Sequence, residues 1–169
     1  LGDVYKRQVS ERIKTAASAA EKLERKGYEI SYEQAVQRLN DLAGVRIVCS
    51  FRDEVYQVAE YLIEHPQLTI IKTKDYIKKP KASGYQSVHL IVGMPYPYGE
   101  ENETVRAEIQ IRTVAMNYWA KLDHQLCYKQ EKSTPQETEQ VRRELLSYAQ
   151  EIARIDKKML ALRKKIEAM

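Results

Sequence analysis

Ten residues in the second half of the chain, Thr104-Val-Arg-Ala-Glu-Ile-Gln-Ile-Arg-Thr113, alternate in polarity without a break. Val105, Ala107, Ile109 and Ile111 share one parity; Arg106, Glu108, Gln110 and Arg112 share the other. A β-strand sends successive side chains to opposite faces, so one face of this segment enters a core while the other carries a carboxylate, an amide and two guanidiniums. A solvated edge strand would alternate too, but with arbitrary polar residues, so a second segment has to decide. Gly84-Tyr-Gln-Ser-Val-His89 runs into Leu-Ile-Val-Gly-Met94 and reads as another strand, with Tyr85, Ser87 and His89 on one face. A turn at Tyr96-Pro-Tyr-Gly99 and the polar stretch 100–103 separate the two, which predicts an antiparallel pair. An aromatic ring, a hydroxyl and an imidazole then lie beside a carboxylate flanked by arginines, which describes a site more than a surface.

A chain of 169 residues is long enough for one domain with a sound core. Charged residues make up 31% of it, and no apolar run approaches the roughly 20 residues of a membrane helix. No signal peptide is visible, and Cys49 and Cys127 have neither metal-ligand spacing nor a disulfide framework, so a cytoplasmic, reduced setting is expected. The net charge of +4 suits a polyphosphate ligand and gives no argument for DNA binding. The chain begins with Leu1, and residues 1–8 read as an extraneous leader set aside from the fold. That leaves residues 9–132 as the body of the domain and 133–169 as a C-terminal helical element.

Residues 11–26 read as a helix stopped by Gly27. Ser31-Tyr-Glu-Gln34 has capping-box form and opens a helix to about Leu42, ended by Gly44. Val45-Arg-Ile-Val-Cys-Ser50 reads as a buried central strand, residues 53–64 as an amphipathic helix, and Leu68-Thr-Ile-Ile-Lys-Thr73 as the start of another strand. Residues 75–83 form a Lys- and Pro-bearing loop, and residues 113–128 a helix carrying Trp119. Thr134-Pro-Gln-Glu137 then combines an N-cap, a first-turn proline and a capping glutamate. Val141, Leu145, Tyr148, Ile152, Ile155, Met159, Leu162 and Ile166 follow in a heptad seam, which serves either a helix lying across its own domain or a contact between subunits.

Four groups of residues carry chemistry. Arg12 leads the first, in which Lys14, Ser18 and Lys22 recur every four residues and would share a helical face suited to a triphosphate. In the second, Asp41 ends a helix, where its charge opposes the dipole and invites a metal, and Arg46 has a planar guanidinium able to stack on a base. The third runs from Lys74 through Lys81 and Tyr85 to His89, with lysines to cover phosphates and a tyrosine to stack on a flat ring. The fourth holds Glu108, Gln110 and Arg112, with Asn117 and His124 on the following helix. Each has an ordinary alternative when taken alone: a solvated basic face, a tolerated terminal aspartate, a basic surface loop, a structural histidine. Together, two carboxylates ringed by Lys and Arg suit Mg²⁺-assisted phosphoryl-type transfer.

Arg12-x-Lys14-x-x-x-Ser18-x-x-x-Lys22, Asp41-Leu-Ala-Gly-Val-Arg46, Lys74-Asp-Tyr-Ile with Pro80-Lys81, Gly84-Tyr-Gln-Ser-Val-His89, Glu108-Ile-Gln-Ile-Arg-Thr113 and Trp119-Ala with His124-Gln-Leu-Cys-Tyr-Lys129 stand in matching order. In this the chain resembles the synthetase domain of RelA/SpoT-type alarmone enzymes, most of all a stand-alone small alarmone synthetase. It departs at Ser83, where the family carries asparagine before Gly-Tyr. The resemblance implies an α/β (α+β) fold: a mixed, mainly antiparallel sheet of about five strands flanked by helices, nucleotidyltransferase-like, with a long C-terminal helix. It implies transfer of the β,γ-pyrophosphate of ATP to the ribose 3′-hydroxyl of GDP or GTP, releasing AMP and (p)ppGpp. It assigns Asp41 and Glu108 to Mg²⁺, with Glu108 also as general base. Arg12, Lys14, Ser18, Lys22 and Arg46 would meet ATP, the two arginines sandwiching adenine. Tyr85 would stack on guanine, while Lys74, Lys81, His89, Gln110 and Asn117 meet the acceptor. A homo-oligomer packed through terminal helices, with the tetramer favoured, is implied too, and some members carry an allosteric alarmone site. The rival readings are a catalytically silent nucleotide-binding sensor and another nucleotidyltransferase-fold enzyme.

Overall fold

The computed structural model describes residues 8–95, 104–128 and 134–169. Five strands form one sheet in the order β1 (Gln8–Ile13), β2 (Ala43–Cys49), β5 (Thr104–Thr113), β4 (Val88–Pro95), β3 (Thr69–Asp75). β2 and β5 run parallel, and the other three pairings are antiparallel, as the expected mixed sheet requires. Five helices surround it: α1 (Ala16–Arg25), α2 (Tyr32–Arg38), α3 (Arg52–Ile63), α4 (Val114–Tyr128) and α5 (Pro135–Glu167). The antiparallel β4–β5 pair is present; the turn expected at 96–99 and the stretch 100–103 lie outside the described residues.

One face of the sheet is dry. Leu90 and Val92 from β4, and Ala107, Ile109 and Ile111 from β5, pack with Val55, Val58 and Ala59 of α3. The alternate residues of β5 open on the other face, so the period-two pattern divides core from cleft as expected. α1 and α2 close on their own small core of Ala19, Leu23, Ala35 and Leu39. α4 and α5 meet around Trp119, Leu145 and Ala149, and Trp119 Nε1 donates to the Leu145 carbonyl at 3.1 Å.

Three expectations are corrected. The helix read from residue 11 starts only at Ala16, because Thr15 caps it by accepting from Ser18 N; residues before it form the edge strand β1, which begins at Gln8 within the stretch set aside as a leader. α2 stops at Arg38 instead of reaching Leu42, since Leu39 turns extended and buries its side chain in the α1–α2 core. β2 is interior in the sheet but mostly half-buried, because one of its faces borders the cleft. The heptad seam is split as well. Leu145, Ala149 and Asp156 face the domain, whereas Tyr148, Ile155, Met159, Leu162 and Ile166 are 50–63% exposed and form an outward stripe.

Candidate active site

Strand register builds the centre of the cleft. His89 lies opposite Gln110 across β4–β5, and Gly44 of β2 lies beside Glu108. From there a closed ring of hydrogen bonds forms. The Arg112 guanidinium donates to the Tyr85 hydroxyl at 2.8 Å and to the Gln110 side-chain oxygen. Gln110 Nε2 donates to Glu108 Oε2 at 2.9 Å. On the other arm the Tyr85 hydroxyl meets His89 Nε2 at 2.8 Å, and His89 Nδ1 meets Glu108 Oε1 at 2.9 Å. An ionised carboxylate only accepts, so His89 Nδ1 carries a proton and donates to Glu108 Oε1, and both arms end on this acid.

Burial alone would raise the Glu108 carboxyl, but the hydrogen bonds from His89 and Gln110, with the charges of His89 and Lys74, outweigh it and hold the group at about 2. Tyr85 is pushed up by burial, against the opposing pull of Arg112. Tyr76 stands edge-on to Tyr85 and His89, at centroid distances of 6.1 and 5.2 Å. The Lys81 ammonium lies 4.9 Å from the Tyr76 ring centre and 4.8 Å from that of Tyr85. Gly84, at φ +89°, introduces this tyrosine.

Asp41 approaches from the other half of the chain. It does not end α2 but sits in the connection between Leu39 and β2, so the helix-dipole argument for it falls away. Lys22 Nζ reaches its Oδ2 at 2.6 Å and Lys14 Nζ at 3.4 Å. Burial would raise this carboxyl, yet the two ammonium groups bring it below its ordinary value. Its second oxygen, Oδ1, is buried without a hydrogen-bond partner, a bare hard donor of the kind a divalent cation takes. Among the described residues no cluster of three or more His, Cys, Asp or Glu forms a metal cage, so a metal here would rely on two carboxylates and on oxygens from the substrate.

A cleft of about 860 Å³ collects Arg12, Lys22, Asp41, Arg46, Lys74, Lys81, Tyr85, His89, Glu108 and Gln110. Lys14 lines an adjoining recess of about 470 Å³, together with Arg12, Asp41, Arg46 and Glu108. The two acids therefore border common space on one side of the sheet. Lys14 precedes α1, so it does not continue the face of Ser18 and Lys22; it reaches Asp41 from the N-terminal side of the Thr15 cap. Ser18 and Asn117 are not among the lining residues. The Ser18 hydroxyl accepts from Thr15, and Asn117 is half-buried with an unpartnered oxygen. Sequence reasoning assigned Tyr76 and Lys121 no binding role and placed Arg112 and His124 in the fourth group without assigning them one; all four line the cleft, and His124 is exposed. Tyr76 carried a signal, its place inside Lys74-Asp-Tyr-Ile; Lys121 carried none beyond its helical spacing from Asn117.

A fold of this kind is shared with solved structures, and the sequence with known proteins. The chain belongs to the family described as a region found in RelA / SpoT proteins, which matches residues 11–133. GTP pyrophosphokinase YwaC of Bacillus subtilis (strain 168) is 43% identical over 156 residues, covering 92% of this chain and 73% of the relative. GTP pyrophosphokinase YjbM of the same organism is 36% identical over 159 residues, covering 94% and 72%. Among solved structures, small alarmone synthetase 1 from Bacillus subtilis bound to its product pppGpp superposes with a TM-score of 0.84 at 36% identity, covering 95% of this chain and 79% of that one. Small alarmone synthetase 2 from Bacillus subtilis gives 0.81 at 41% identity, covering 94% and 80%.

Proposed function

We propose that this chain is a GTP pyrophosphokinase that transfers the β,γ-pyrophosphate of ATP to the 3′-hydroxyl of GDP or GTP. Residues 9–132 serve as the catalytic unit, and residues 133–169 as a helix for packing and assembly. The observation that carries the reading is that Asp41 and Glu108 border one cleft, each embedded among cations or hydrogen-bond donors. ATP lies on the side of Arg12, Lys14, Ser18, Lys22 and Arg46, with its adenine between the two arginines and its phosphates on the lysines. The acceptor base stacks on Tyr85, and its ribose and phosphates meet Lys74, Lys81, His89, Gln110 and Asn117. The two acids would hold Mg²⁺, which supplies neutralisation of phosphate charge.

The residues' work is alignment. Each oxygen of Glu108 keeps a lone pair beyond the bond from His89 or Gln110, so the carboxylate can still accept from the 3′-hydroxyl. With its pKa near 2 it is a weak base, and it takes that proton only as the 3′-oxygen bonds to the β-phosphorus. The bond from the β-phosphorus to the α,β-bridging oxygen breaks, AMP leaves with that oxygen, and the proton passes to solvent. Tyr148, Ile155, Met159, Leu162 and Ile166 would be covered by a second copy of the chain, the first contact of a tetramer.

With Mg²⁺, ATP and GDP, the protein should yield AMP and ppGpp in equal amounts, and chelation by EDTA should stop both. Pyrophosphate with a nucleotidylated product would instead make it a nucleotidyltransferase, and nucleotide binding without turnover would make it a sensor. Either result ends the proposal.

A further inference from the structure

Arg106 shares a strand face with Glu108 and Gln110, yet it is not among the residues lining the cleft. Its guanidinium crosses to the other half of the chain. Nη1 donates to the Gln37 carbonyl at 3.0 Å and to the Asn40 side-chain oxygen at 3.3 Å. Gln37 lies in the last turn of α2, where carbonyls lack partners within the helix and a cation meets the negative end of the dipole. Asn40 immediately precedes Asp41. α2 has seven residues, too few to hold its own end rigid, and the chain turns extended at Leu39 before β2 begins. Lys14 and Lys22 anchor the Asp41 carboxylate from the N-terminal side of the cleft, and the β2–β5 ladder begins only at Ala43, so neither lysine ties residues 37–41 to β5. Arg106 does. It stands two residues from Glu108 on one face of one strand, about 7 Å along a rigid ladder.

We propose that Arg106 is a positioning residue that clamps the Asp41-bearing connection to β5 and so sets the spacing between the acids at 41 and 108. The inference rests on the paired-carboxylate reading above. The clamp is a partly exposed contact, so its loss costs little stability, whereas an error on the order of 1 Å between reacting groups costs about a hundredfold in rate.

Arg106→Met should lower kcat by at least about tenfold while leaving KM for ATP and GDP within about twofold. Two readouts need no turnover. Mn²⁺ titrated into the unloaded protein, followed by electron paramagnetic resonance, should half-saturate at a concentration several-fold higher. Amide hydrogen exchange across residues 38–42 should quicken. Arg106→Lys, which keeps a cation in reach of both acceptors, should recover part of each effect. Asn40→Ala should move all three in the same direction by less, and combined with Arg106→Met it should add nothing. Parental Mn²⁺ affinity and exchange in folded Arg106→Met, or independent multiplying effects of the two substitutions, would overturn the clamp. Asp41→Asn and Glu108→Gln separate the two readings. If either keeps turnover and Mn²⁺ affinity, the paired-acid reading has failed; if both lose them while Arg106→Met and Asn40→Ala change nothing, only the clamp has failed.

Discussion

Glu108 is the residue on which both arms of the hydrogen-bond ring converge, so its substitution separates binding from chemistry. Glu108→Gln keeps the shape and one acceptor, and it should lower kcat by about 10²–10⁴-fold while ATP and GDP still bind with near-parental dissociation constants in calorimetry. Full activity would remove the base assignment. The same residue shapes acid stability. Its folded pKa of about 2 lies below the ordinary carboxylate value, so the stability it contributes is complete above that value and is lost as pH falls toward about 2. Asp41, also depressed, acts in the same sense. Asp156, raised by burial despite its bond to Thr113, has the opposite sign: its contribution is withdrawn as pH rises from the ordinary value to its own. Urea melts of Glu108→Gln across the acid range should therefore show a shallower fall in stability than the parent. The parity of β5 and His89 made this centre readable, since a period of two is a local property. The closing of the ring by Arg112 was not, because it depends on where the loop before β4 puts a hydroxyl.

Among the elements, the loop that presents Tyr85 leans on α5. A Cβ added at Gly84 would lie 2.5 Å from the Ala149 Cβ, and the backbone there has φ +89°. Gly84→Ala should cost about 2–4 kcal/mol in chemical denaturation, from crowding and strain together. It should also raise KM for GDP more than KM for ATP. Ala149→Gly in the same chain should return part of the stability, the crowding share, and leave the strain. Helix α5 was legible because Thr134, Pro135 and Glu137 announce its start with local chemistry, and the cap forms with both partners in place. β1 was not legible. All its residues are exposed, and it is held by backbone pairing to β2, so it carries no hydrophobic period and its sequence passes for the opening of a charged helix. The end of α2 was hidden for a related reason, since the burial of Leu39 is decided by α1.

At the scale of the whole molecule, α5 offers two faces, and only the inner one is spent on the domain. The expected seam ran through both faces, because a 3.5-residue repeat drifts around a helix that packs at 3.6: Leu145 turns inward while Tyr148, Ile155, Met159, Leu162 and Ile166 turn out. Ile155→Lys with Met159→Lys should reduce the mass seen by light scattering and leave the monomer's thermal midpoint nearly unchanged. An unchanged mass would mean that no copy covers the stripe. Among the described residues no helix is long and apolar enough to cross a membrane. Pairing β2 with β5 in parallel also fixes an order of events during synthesis. β1 arrives ahead of β2 and shelters one of its edges, but the other edge waits about sixty residues for its neighbour, several seconds at roughly 5–20 residues per second. Glu108 emerges on that late strand, so of the two acids proposed to share a cation, Asp41 is synthesised long before its partner.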